Sequence, residues 1–413
     1  MTDSSFDLFA KTNDAVSARV ILRQVGTPVY VYSSNVIRRR YNEFDNAFLD
    51  YPHRVHYALK ANSTLAIARL VNKLGSGADV NSGGELEVAL RAGFQPQDIV
   101  FTGVGKSKLE LERAVSLGLQ AINAESLGEL ERIDRLALAQ GKQARVALRV
   151  NPDVEAGGYP QISTGKRFHK FGVPIGLARE VCQRVNKYQG LIVVGLHIHI
   201  GSQIVELNPL RSAAKAIVSL ARELSDDGIQ LEHLDLGGGL GISYDGSETS
   251  SVSAYASALI DAVSLTQLSL LVEPGRWIVG PAGVLLTSVV DVKNQEGDRF
   301  FVVLDAGMSE FLRPALYGAT HRVRLLGQNL NNVVTCDLVG PLCETSDIVA
   351  MGERMPLPKV GDLIAIFDAG AYGSAMASNY NRHPLPAEVM VDGDDWEIIR
   401  RRQSFDDLVY LET

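Results

Sequence analysis

The chain has 413 residues, more than one compact core normally holds, so two domains are expected. Its 46% hydrophobic and 21% charged residues are those of an ordinary globular protein, and a formal charge of −8 argues against nucleic-acid or anionic-membrane partners. No apolar run reaches membrane-spanning length, Met1 to Val16 lacks a signal-peptide pattern, and three scattered cysteines (Cys182, Cys336, Cys343) suggest reduced thiols in a cytoplasmic protein.

In chain order, Val29 to Tyr32 is a short strand behind Pro28, followed by a polar helix through about Leu49. Val55-His56-Tyr57-Ala58-Leu59-Lys60 reads as a buried strand ending on a lysine. Strands then recur at Asp79-Val80, Asp98 to Thr102, Gln120 to Asn123, Arg145 to Val150, Leu191 to Ile200, Leu231 to Leu236 and Leu268 to Val272, with helical stretches between them. Ser82-x-x-Glu85, Ser107-x-x-Glu110 and Ser126-x-x-Glu129 have capping-box spacing. Eight strands alternating with helices fit a closed (β/α)8 barrel. After Gly280 the pattern changes to short strands at Val284 to Lys293, Arg299 to Asp305, Val333 to Val339, Leu363 to Asp368, Ala387 to Val391 and Trp396 to Arg400. The fold class is therefore α/β: a barrel over residues 28–279 and an all-β domain over 280–413, to which residues 1–27 are assigned.

In such a barrel, chemistry sits at the C-terminal ends of the strands. Those ends carry Lys60, Asp79, Arg149, His197, His199, Gly237-Gly238-Gly239 and Glu273-Pro274-Gly275-Arg276. A lysine at an apolar strand tip can have a lowered pKa and form a Schiff base, or it can snorkel to a strand edge. The glycines offer bare N–H groups to a phosphate, with Ser202 and Gly275 as further donors, or they serve tight turns. His197 and His199 face one way on their strand: they hold a metal, or one stacks on a flat ligand while the other fills the core. Glu273 can hold a ring nitrogen protonated or pair with Arg276. A lysine, a phosphate cradle, a stacking histidine and a carboxylate together describe pyridoxal 5'-phosphate, with no metal.

Tyr57-Ala58-Leu59-Lys60-Ala61-Asn62, His197-Ile198-His199-Ile200-Gly201-Ser202, Gly237-Gly238-Gly239 and Glu273-Pro274-Gly275-Arg276 resemble the pyridoxal-dependent decarboxylases of the alanine-racemase fold. Ile162-Ser163-Thr164-Gly165-Lys166, Arg313-Pro314-Ala315-Leu316-Tyr317-Gly318, Gly340-Pro341-Leu342-Cys343-Glu344 and Asp368-Ala369-Gly370-Ala371-Tyr372-Gly373 narrow the resemblance to the diaminopimelate decarboxylase family, over nearly the whole chain. The resemblance implies that Lys60 forms the Schiff base, His199 stacks on the ring and Glu273 pairs the pyridine nitrogen. Asp79 is counted with the cofactor-binding residues, and Ser202, Gly239, Gly275, Arg276 and Tyr372 would hold the phosphate. Cys343 would return a proton to the product, reaching the site from a second subunit, so an obligate homodimer is implied. Two positions depart from the family pattern: Trp277 follows Arg276, and Thr345-Ser346 follow Glu344.

The substrate end is read from residue types. Arg313 and Tyr317, four apart, lie on one face of a helical turn. Arg313 with Arg276 can grip a carboxylate, Glu344 can take an ammonium, and Tyr372 completes the set. Such a set recognises a distal amino-acid group and points to decarboxylation of meso-2,6-diaminopimelate to L-lysine. Cys343 is a proton donor in this reading and a small buried hydrophobe in the bland one. Three alternatives stand beside it: a sibling decarboxylase acting on ornithine, lysine or a carboxylated polyamine; a catalytically silent binding protein; and a metal hydrolase using His197 and His199. Ile162 to Lys170 is read as a closing loop hinged at Gly158 and Gly165.

Overall fold

A computed structural model describes residues 8–9, 17–155, 164–165, 169–296, 299–327 and 333–413. Two compact units emerge, one of Arg40–Ile242 with Glu248–Trp277, the other of Met1–Arg39, Ser243–Ser247 and Ile278–Thr413. The strand β1 (Val29–Ser33), expected with the barrel, lies in the second unit: it pairs antiparallel with a strand beginning at Gly283 and parallel with one beginning at Ala387. Residues 28–39 thus group with the β unit, because β1 is buried along its length between two partners remote in sequence.

The first unit is a closed parallel barrel. Its strands are β2 (His53–Ala58), β3 (Gly77–Val80), β4 (Ile99–Phe101), β5 (Ala121–Ala124), β6 (Ala144–Asn151), β8 (Leu191–His197), β9 (His233–Asp235) and β10 (Ser269–Val272); a two-residue β7 (Val173–Pro174) pairs beside β6. The order β5-β4-β3-β2-β10-β9-β8-β6 closes through a β5–β6 pairing. Val100, Ala121, Ala147, Val194 and Leu271 fill part of its core. Burial of the two valines and the leucine stabilises each by about 1.5–3 kcal/mol relative to exposure.

The helices start where the serines indicate, with one revision. Ser107 and Glu110 form a complete reciprocal capping box. Ser82 and Ser126 cap the amides of Glu85 and Glu129, but those glutamates reach one residue further back, accepting from the amides of Asn81 and Glu125. Glu129 is drawn inwards by Lys106, whose buried ammonium lies 3.3 Å from it.

The second unit is a mixed sheet of β11 (Gly283–Glu296), β12 (Arg299–Leu304), β13 (Val323–Leu326), β14 (Val333–Val339), β15 (Ile348–Pro356), β16 (Leu363–Ile366), β17 (Ala387–Asp392) and β18 (Asp395–Arg400) with β1. Its main path is β15-β14-β12-β11-β1-β17-β18, and β16 pairs with β11 and β13. Strands β13 and β15 carry arginines and a glutamate that hide their period from a hydrophobicity reading.

Candidate active site

Lys60 lies not within β2 but in the short 3-10 turn Leu59–Ala61 that follows it. Its Nζ donates to Asp79 Oδ2 at 2.9 Å; the lysine side chain is 30% exposed and the aspartate fully buried. The amine is therefore held by a buried carboxylate at the barrel mouth rather than stranded in an apolar setting. A charge-assisted bond of this kind fixes the position of the nitrogen.

The neighbouring strand ends add an aromatic face and an acid. The Gly238 amide donates to His199 Nδ1 at 3.3 Å, which places the imidazole proton on Nε2. Burial, followed by the Lys60 charge, pushes His199 well below its ordinary pKa, so it is neutral at pH 7. Such a ring can stack without adding charge. Glu273 is buried, and neither carboxylate oxygen has a hydrogen bond among the described residues. Burial alone would raise its pKa; His197 and then Lys60 outweigh that and hold it well below the usual range. A buried anion short of hydrogen bonds, with His197 Nε2 no nearer than 3.5 Å, suits a further N–H donor.

Next to these lies an anion cradle. Arg276, 4% exposed, donates to Ser202 Oγ from Nη2 at 2.9 Å and from Nε at 3.3 Å. Gly239 has φ +102°, and a Cβ there would sit 2.7 Å from the Gly201 carbonyl. At Gly275 a Cβ would stand 2.9 Å from that of Ala61, so only glycine lets this turn approach the Lys60 turn. Bare amides beside an arginine and a hydroxyl suit a phosphate.

The β unit holds the remaining residues singled out above. Arg313 is 1% exposed and opens the helix Arg313–Tyr317. Its Nε donates to His321 Nε2 at 3.1 Å, and His321 Nδ1 in turn donates to the Phe367 carbonyl at 2.9 Å. The guanidinium lies 4.9 Å from the Tyr244 ring centre and 5.9 Å from that of Tyr317, so Arg313 and Tyr317 do share a face. This buried setting is not that of a surface ion pair. Tyr372 sits at φ +56° in the loop after β16. Cys343 and Glu344 are exposed, and Glu344 accepts from the Tyr380 hydroxyl at 2.6 Å. The small-buried-hydrophobe reading of Cys343 is thereby removed.

The structure adds Asp235 and Asp347, which sequence reasoning passed over, and gives settings to others named above. Asp235 and His197 lie with Glu273 so that one donor atom of each falls within 4.8 Å of the others. The signal for Asp235 was an acid at a strand end directly before the glycine run. Asp347 accepts from the amides of Met308 at 2.6 Å and Leu342 at 2.8 Å, folding the loop that carries Cys343. Trp277 is packed inside the barrel unit under the Arg40 guanidinium, 4.1 Å from its ring centre. The Ser346 hydroxyl lies 3.7 Å from Met308 Sδ. Of the Ile162 to Lys170 segment, Thr164 bonds to the His199 carbonyl at 2.6 Å, while Gly158, Ile162, Ser163 and 166–168 lie outside the described residues.

Residues 34–280 match the model of the pyridoxal-dependent decarboxylase, pyridoxal binding domain. A diaminopimelate decarboxylase from Neisseria meningitidis serogroup A is 43% identical, over 92% of this chain and 93% of that one. The chain belongs to the diaminopimelate decarboxylase family. Among solved structures, diaminopimelate decarboxylase from Helicobacter pylori, complexed with L-lysine, superposes with a TM-score of 0.92 at 40% identity, over 95% of this chain and 98% of that one. The lysine/ornithine decarboxylase from Vibrio vulnificus, complexed with putrescine, is only 23% identical at a TM-score of 0.79, covers 91% of this chain and 96% of that one, and shows the shared fold alone.

As a member of this decarboxylase family, the chain uses pyridoxal phosphate, and its residues fit that cofactor. The hydrogen-bond-deficient Glu273 suits a pyridinium N–H, the neutral His199 ring suits a π face, and the glycine turns with Arg276 and Ser202 suit the phosphate. No described helix is long and apolar enough to cross a membrane.

Proposed function

We propose that this chain decarboxylates meso-2,6-diaminopimelate to L-lysine and CO2, the final step in making lysine. Buried Arg313, clasped by His321 and flanked by Tyr244 and Tyr317, is the observation that carries the substrate choice. A guanidinium in an aromatic setting recognises a carboxylate through paired N–H bonds. Diaminopimelate has a distal carboxylate; ornithine and lysine have none. The high identity to diaminopimelate decarboxylases across both units, against 23% to a lysine/ornithine decarboxylase, favours the same choice.

When bound, pyridoxal phosphate supplies the sink for the electron pair left by departing CO2. The chain does the rest. Lys60, steered by Asp79, would take the cofactor aldehyde and yield it to the substrate amine. Glu273 would keep the ring nitrogen protonated, and His199 would press on the ring. Ser202, Gly239, Gly275, Arg276 and Tyr372 would hold the phosphate, with Arg276 and Tyr372 also serving the substrate. Cys343 would deliver a proton to the carbon that lost CO2, and Glu344 would take the distal ammonium.

We infer further that the enzyme works as a homodimer, with Cys343 and Glu344 of one copy completing the site of the other. Both residues are exposed on their own unit. Glu344 lines a surface cavity of about 730 Å³, with Phe301 and Met351 among its other lining residues. A cytoplasmic home accords with three free cysteines.

The test is CO2 release from diaminopimelate and from ornithine by wild type and Arg313→Ala. Loss of a buried guanidinium–carboxylate pair, about 3–5 kcal/mol, corresponds to a fall of roughly 150- to 4,000-fold in kcat/KM on diaminopimelate. An unchanged rate and preference would remove the substrate assignment.

A further inference from the structure

Behind Glu273 lies a group of side chains that the reaction as derived above does not use. Strands β8, β9 and β10 are neighbours in the barrel. Their parallel register sets His197 opposite Asp235, and Asp235 opposite Leu271. Glu273 is two residues beyond Leu271, so its side chain leaves on the same face. The register therefore brings an imidazole and two carboxylates together at adjoining strand ends. All three residues are buried, none more than 3% exposed. His197 Nε2 stands 3.5 Å from Glu273 Oε1.

Two carboxylates this close in a dry site cannot both be charged at low cost, so the pair holds one proton. The surroundings decide which group carries it. Glu273 faces His197, Lys60 and His199. Asp235 receives only the Gly237 amide, at 2.9 Å on Oδ1, and its Oδ2 has no hydrogen-bond partner among the described residues. Burial, and then the Glu273 charge, pushes Asp235 well above the usual carboxylate range. Asp79 adds to the rise at Asp235, and Tyr255, near both acids, has its own pKa raised by burial and is neutral.

We propose that His197 and Asp235 are positioning residues for Glu273: Asp235 carries the pair's proton as a neutral acid, and His197 points an N–H at the Glu273 carboxylate, so that Glu273 alone is anionic and aimed at the cofactor's ring nitrogen. This rests on the reading of Glu273 as the ring-nitrogen partner. It assigns the first histidine of the His-x-His pair to the acid and the second, His199, to the ring. The two imidazoles thus have different work despite their spacing. Outer residues that orient an inner one commonly change activity by about 10- to 100-fold when replaced.

The test uses holoenzyme carrying pyridoxal phosphate labelled with ¹⁵N in the ring, read by the nitrogen chemical shift and by kinetics. Wild type should show a pyridinium-like shift, and Glu273→Gln should move it towards neutral pyridine. His197→Phe should move it in the same direction and lower kcat about 10- to 100-fold with KM changed by less than about threefold. His197→Gln, which restores an N–H donor, should recover most of the shift. Asp235→Asn, the isostere of a protonated acid, should keep the wild-type shift. A wild-type shift in His197→Phe would overturn the positioning role; a shift in Asp235→Asn as large as in Glu273→Gln would overturn the proton assignment. Should His197→Phe not hold the cofactor, His197→Asn, whose donor is too short to reach Glu273, takes its place with the same outcomes. If Glu273→Gln itself leaves the shift unmoved, it is the ring-nitrogen reading that has failed.

Discussion

The two units differ in how their buried charges are paired. In the barrel, charges at the strand ends are set against one another: Lys60 with Asp79 at 2.9 Å, Lys106 with Glu129 at 3.3 Å, Arg149 with Glu125 at 2.6 Å. In the β unit, buried Asp337, Asp368 and Glu388 pair with arginines that are themselves a third or more exposed (Arg299, Arg322 and Arg400), while other carboxylates hold backbone and hydroxyl groups. Asp305 accepts from Thr287 Oγ1, the Ser288 amide and Thr27 Oγ1, and Asp347 accepts from two loop amides. Paired charges tune one another's proton affinity, which chemistry needs; a carboxylate bound to amides fixes loop shape. In the barrel both members of the Lys106–Glu129 and Arg149–Glu125 pairs are buried, where pairing acts most strongly; in the β unit Asp347 fixes the shape of the loop that carries Cys343.

The largest expected effect that can break this contrast is at Asp347. Asp347→Ala leaves the Met308 and Leu342 amides without their carboxylate and should cost about 2–4 kcal/mol by denaturant titration. It should also lower kcat through a misplaced Cys343, with an unaltered cofactor spectrum. A changed spectrum with normal stability would mean that the β-unit acids tune the chemistry after all.

Acid titration sharpens the barrel side. Burial lowers His233 to about 4 and also lowers His56 and His199, so the folded barrel holds these rings neutral. Unfolded histidines bind protons below about pH 6.5. The unfolded state then binds more protons than the folded one, so stability falls as pH drops from about 6.5 to 4. His233 accounts for on the order of 3 kcal/mol of that loss. The melting temperature should decline across this window, and His233→Gln should flatten the decline; an identical slope in the variant would contradict it.

A smaller effect belongs to Glu85, whose pKa burial raises to about 7. Its folded form binds a proton more readily than its unfolded form, so its contribution to stability falls as pH rises from about 4.5 to 7. Glu85→Gln should therefore raise the melting temperature more at pH 8 than at pH 5. An equal gain at both values would show that Glu85 does not titrate in this window.

The same contrast explains what the sequence made legible. Barrel strands are short apolar runs separated by capping serines, and their functional residues follow immediately at each C-terminal end, so Lys60, His199, Gly239 and Glu273 could be picked out by counting strands. β1 was assigned to the wrong unit because its partners, β11 and β17, lie some 250 and 350 residues away, and nothing local distinguishes a strand paired that remotely. Asp235 was passed over because an acid within an apolar strand end reads as a turn residue until register sets it beside Glu273. Asp347 was passed over because its work is to gather amides from two loops, which spacing does not reveal. Arg313 was read correctly as sharing a face with Tyr317, since a single helical turn suffices to place both.

The amine of Lys60 is expected to be the group that takes the cofactor aldehyde. Purified protein loaded with pyridoxal phosphate should absorb at the visible edge, lose that band on borohydride reduction, and yield on digestion a peptide bearing the reduced pyridoxyl group on Lys60. Recovery of that group on another lysine, or of no modified peptide from colourless protein, would contradict the account.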